Sequence, residues 1–71
     1  MAGPDLADLV GRLRSVGDDL ADTAVTLLRE ALRTDDDDER RRALTAEEKR
    51  VTRARRAVEK AIRELDHAAE D

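Results

Sequence analysis

In the last third of the chain, Val51, Ala54, Val58, Ala61, Leu65 and Ala68 recur at alternating spacings of three and four residues. A strand alternates with a period of two, so this run gathers its apolar side chains only as one stripe of an α-helix. Thr45 followed by Glu48 forms a capping box ahead of it, in which each side chain satisfies a backbone N–H of the first turn. The helix is therefore expected over about 46–69. Its opposite stripe is Lys49, Arg53, Arg56, Lys60, Arg63 and His67, so one face must be covered and the other presents a row of cations.

The first half of the chain repeats this period. Gly3-Pro4-Asp5 is a helix-start signal, with Asp5 as N-cap and Asp8 adding negative charge to the first turn, where the helix dipole favours it. Leu6, Leu9, Leu13, Val16, Leu20, Ala24, Leu27 and Ala31 continue the pattern and predict a first helix over about 6–33. Gly17, followed by Asp19 and Asp22, is the position where this helix could break in two. The apolar register passes through it, which favours a single helix. Residues 34–44, TDDDDERRRAL, place five acids ahead of three arginines. That is the charge order of a helical turn, so a partly helical linker is expected.

The two stripes suit each other. The first helix offers mostly Leu, the second alternates Val or Leu with Ala, and large opposite small permits close antiparallel packing. Leu13, Leu20 and Leu27 are expected to face Val51, Val58 and Ala61. Residues 1–39 carry four basic and eleven acidic side chains and residues 40–71 carry ten and seven, so the halves attract. Within the second helix, Glu59 to Arg63 and Glu47 to Arg50 have the favourable acid-first order of a helical ion pair. The expected fold class is all-α: one domain over 1–71, an antiparallel two-helix hairpin.

Such a hairpin has little core of its own. The chain has no Phe, Tyr or Trp and relies on nine Leu, five Val and one Ile. Ordering a residue costs about 1.5 kcal/mol, whereas a fully buried aliphatic side chain returns about 1.5 to 3 kcal/mol. Ala21, Val25, Leu28 and Leu32 form a second apolar stripe, turned away from Leu13, Leu20 and Leu27. A helix apolar over most of its circumference is covered on two sides. The linker offers only Ala43 and Leu44 as cover, so this stripe is expected to be a self-association surface and the hairpin to pair into a dimeric four-helix bundle.

Signals of chemistry are absent. The chain has no cysteine, which removes disulfides, thiolate metal sites and thiol nucleophiles. His67 is the only histidine and has no second imidazole to complete a metal site. Asp35 to Asp38 lack the alternating ligands and Gly turn of a calcium loop. Gly11 and Gly17 follow no strand, as a phosphate loop would require, and Ser15 has no visible base partner. No catalysis, metal or cofactor is expected. The chain shows neither a signal peptide nor a membrane span, from which a cytoplasmic location is expected.

Two classes of function remain. The first is a homo-oligomeric helical adaptor, assembly or regulatory partner without catalysis. The second is a nucleic-acid-associated regulator using the basic face Lys49, Arg53, Arg56, Lys60 and Arg63, a face that would equally suit an acidic protein. Nucleic acid is disfavoured by the net charge of −4 and by the lack of aromatic side chains for stacking on single strands. Glu48, Thr52, Arg55, Glu59 and Arg63 follow a spacing similar to the Glu-x3-Ser-x2-Arg-x3-Gln-x3-Asp motif by which helical-hairpin anti-sigma factors bind cyclic di-GMP. The last two positions differ and the second is a conservative replacement. An amphipathic helix rich in Glu and Arg meets such a spacing by chance, so the resemblance transfers no role to these residues.

Overall fold

The computed structural model describes residues 5–34 and 36–70, with side chains through Asp66. Expectations placed on Gly3, Pro4, Asp35 and the side chains of His67 and Ala68 lie outside the described residues. The described residues form two helices, α1 (Leu6–Arg33) and α2 (Asp38–Glu70). They pack as an antiparallel hairpin: as numbers rise along α1, its partners descend along α2, from Asp66 at Arg14 to Val58 at Gly17 and Arg40 at Glu30. The molecule is correspondingly elongated, 56 × 20 × 15 Å.

Local chemistry sets the helix ends. Asp5 has extended backbone, and its Oδ1 accepts the Asp8 N–H at 2.8 Å, so one of the four amides that a helix start leaves unpaired is satisfied. At the other end of α1, Thr34 donates its N–H to the Ala31 carbonyl and its hydroxyl to the Glu30 carbonyl. Gly17 has no positive φ, and α1 runs through it unbroken.

The start of α2 differs from the sequence expectation. The helix begins at Asp38 rather than near 46, and the connection shrinks from 34–44 to 34–37. Asp37 takes the capping role: its Oδ1 accepts the Arg40 N–H at 3.0 Å, and its carbonyl accepts the Arg41 N–H at 3.0 Å. Asp38 and Glu39 then sit in the first turn, where negative charge is favoured, and Asp38 pairs with Arg41. Thr45 and Glu48 form no capping box, because both are inside the helix. Glu48 instead accepts a hydrogen bond from the Thr52 hydroxyl at 2.7 Å. A capping box is a pattern of side chains that a helix interior also accommodates, and the earlier cap at Asp37 extends the helix over Leu44, which becomes buried.

The inward rows also differ from the expected stripes. On α1 the covered row is Val10, Leu13, Gly17, Leu20, Ala24, Leu27 and Ala31. Val10 and Gly17 take the places expected for Leu9 and Val16, and Val16 is exposed. On α2 the row is Leu44, Glu48, Val51, Arg55, Val58, Ile62 and Leu65, with Ala54 exposed. Both rows keep strictly alternating spacings of three and four. That is the 3.5-residue period of a helix pair whose seam stays facing its partner. Selecting apolar residues alone favoured Ala54 over Arg55, whereas the seam keeps its period and accepts a charged residue whose long stem covers apolar surface.

Only Val10, Ala31 and Leu44 are buried apolar residues among those described. Every other member of the two rows is half-covered, and none of the described residues is a large, wholly enclosed side chain. Among the described residues two ion pairs tie the helices together, Arg14–Asp66 at 3.2 Å and Arg40–Glu30 at 3.9 Å, both on exposed side chains. Exposed pairs of this kind contribute about 0 to 1 kcal/mol each. They align the helices more than they hold them.

Gly17 and Gly11 offer a direct check on the continuity of α1. A Cβ at Gly17 would lie 3.6 Å from Val58 Cγ1, an ordinary van der Waals contact, and one at Gly11 would meet nothing within 4 Å. Alanine at either site should therefore stabilise the helix by about 0.5 to 1 kcal/mol, which corresponds to a rise in thermal midpoint of roughly 2 to 8 °C. Circular dichroism melts of Gly11→Ala and Gly17→Ala check this. A fall at Gly17 alone would mean that the site does not accommodate the added methyl group.

Candidate interaction surface

The residues expected to drive self-association occupy one long side of α1. Val25, Leu28 and Leu32 are exposed, Leu32 most of all at 79%. Ala21, at the start of the stripe, is half-covered. Leu6 and Val16 are exposed as well, but neither extends into a row. Single exposed aliphatic residues are ordinary on protein surfaces; a continuous row is not. The stripe borders the seam, since Ala21 and Leu28 each follow a seam leucine, Leu20 and Leu27, in the chain.

Beside Ala21 the surface is indented. Gly17 has no side chain, and where a larger residue would fill the seam a groove of about 320 Å³ opens between the helices. Its α1 wall is Arg14, Gly17, Asp18 and Ala21, and Val58 and Ile62 supply its apolar α2 side. Arg55 and Glu59 complete the rim. The Arg55 Nε lies 3.2 Å from Glu59 Oε1, close enough for an ion pair but too poorly aligned for a hydrogen bond, so this buried nitrogen has no hydrogen-bond partner among the described residues. Glu59 thus turns back to Arg55 rather than forward to Arg63. Glu47 and Arg50 are likewise not paired among the described residues.

The sequence reading missed this groove. Its signal was present all the same: Gly17 falls on the seam once the period is held at 3.5 residues through Leu13 and Leu20.

The second candidate surface is the outer side of α2. Lys49, Arg53, Arg56, Lys60 and Arg63 are all exposed and form one row, turned away from α1. Glu64 and Arg50 flank it, so the row is continuous but not free of neighbouring charge. Among the described residues no group of three or more His, Cys, Asp or Glu stands where it could hold a metal ion, and no helix is long and apolar enough to cross a membrane.

The chain matches no protein-family model, curated protein or solved structure. Any functional reading therefore rests on the two surfaces themselves.

Proposed function

We propose that this protein is a homo-oligomeric helical interaction module, an adaptor, assembly or regulatory partner without catalysis, whose hairpins pair into a dimeric four-helix bundle. The observation that carries the reading is the exposed row Val25, Leu28 and Leu32 beside a seam in which only three described residues are buried. A helix pair so thinly covered gains most by burying that row, and two-fold pairing is the commonest way for identical chains to do so. Sedimentation velocity tests it. Refractive-index detection is required, because a chain without aromatic residues is nearly invisible at 280 nm. A mass of two chains at micromolar concentration is expected; a mass of one chain, with melting independent of concentration, would refute the reading.

The exposed cationic row of α2 supports a second role for the same module, docking an acidic protein surface or, as the alternative function, a nucleic acid. In either case the row serves partners and not the fold. Reversing Arg53, Arg56 and Lys60 to Glu should leave helix content and thermal midpoint nearly unchanged, since exposed charges contribute little to stability. Duplex DNA, if bound, should be released steeply as salt is raised, because such binding is driven by counterion release. Duplex affinity that is indifferent to salt, or a triple variant that fails to fold, would contradict this account of the face.

A further inference from the structure

We infer that the partner on the α1 stripe is a second copy of this chain docked antiparallel to the first, with Leu32 of each copy seated in the groove beside Gly17 of the other. The inference rests on the self-association reading and adds orientation and register to it. Two independent observations lead to it.

The first is shape. Arg14, Gly17, Asp18 and Ala21 stand three, four and seven residues apart, the diamond of four that receives one side chain from a facing helix. The hole is open and has an apolar floor in Gly17, Ala21 and Val58. Leu32 lies on the same side of the same helix and is the most exposed large apolar residue described. It is a knob without a hole, in a molecule that carries a hole without a knob. The two are far apart along α1, so no single copy can bring them together. A second copy running the opposite way does so twice.

The second observation is charge. Seating Leu32 over Asp18 places Val25 against its own counterpart on the two-fold axis. It also brings Leu28 and Arg29 of one copy level with Asp22 and Ala21 of the other. Asp22 and Arg29 are both exposed, lie on the outer flank of the stripe and have no ion-pair partner among the described residues. In an antiparallel pair equivalent flanks meet, so Asp22 faces Arg29 of the second copy at two symmetric places. A parallel pair would instead set this flank against the opposite flank of the second copy, so Asp22 and Arg29 would not meet. The acidic first half of this flank and its basic second half therefore select the antiparallel arrangement.

The chain has no cysteine, so introduced thiols report the register directly. Under mild oxidation Val25→Cys should link the two copies efficiently, because the substituted positions meet at the axis. Leu32→Cys should not, since its two positions lie about 21 Å apart along the helices. Equal cross-linking at both positions would mean a parallel pair and overturn the inference. Charge reversal gives a second readout, by sedimentation equilibrium on the full chain. Asp22→Arg and Arg29→Asp, each turning two attractions into two repulsions, should each weaken the dimer about tenfold. The double variant Asp22→Arg/Arg29→Asp should restore it. A wild-type mass of one chain sinks the self-association reading and this inference together. A wild-type dimer whose double variant stays as weak as the single ones sinks the register alone.

Discussion

Leu44→Ala should be the most damaging single truncation in the hairpin, lowering its stability by about 2 to 5 kcal/mol. Leu44 is 8% exposed and is the only leucine among the buried residues. Total stability for a chain of this length is on the order of 4 to 10 kcal/mol, so the loss should move the thermal midpoint by more than 10 °C. Leu20→Ala should cost less, because Leu20 is only half-covered on the seam. The order of the two decides a structural question. A linker residue outside the helices would lose little on truncation, so a small effect at position 44 would show that the first two turns of α2 do not bury Leu44.

The second large effect is expected at the proposed association surface. Val25→Glu together with Leu28→Glu should dissociate the proposed dimer. Val25 and Leu28 retain 46% and 44% of their exposure in the hairpin. Covering the remainder is worth about 1 kcal/mol for each residue of each chain, and a carboxylate placed there would be buried without a partner, at a further cost of several kcal/mol. Because pairing and folding are linked, helix content at micromolar concentration should fall as well and should recover on concentrating the sample. Light scattering and far-ultraviolet circular dichroism on one dilution series check both halves. A double variant that retains the mass of two chains would place the interface elsewhere.

The architecture was readable from periodicity because both helices are long and carry apolar residues at every turn. The start of α2 was not, and the reason lies in particular residues. Thr45 and Glu48 have the side chains of a helix start, but so does Asp37, and which cap is used depends on whether Leu44 finds cover against α1. That is a tertiary fact. The seam was misread in part, at single positions, for a related reason. Hydropathy alone picks Leu9, Val16 and Ala54, while the packed pair needs a constant 3.5-residue period and obtains it with Val10, Gly17 and Arg55. The exposed apolar stripe of α1 was visible as apolar residues off the main row. The groove beside Gly17 was not visible, since a glycine on the seam becomes a hole only when Val58 and Ile62 are brought to its edge.

The four-residue connection at 34–37 also orders events in time. Ala31 and Leu44 flank it and lie close in sequence, whereas Val10 and the Leu65 region are separated by most of the chain. Closing the long loop first costs about 1 kcal/mol more in chain entropy than closing the short one. It would also leave the intervening segments unpaired. Folding should therefore start at the turn and proceed like a zip toward the open end. Truncations of similar size then act on different rates: Leu44→Ala slows folding, while Leu65→Ala mainly hastens unfolding.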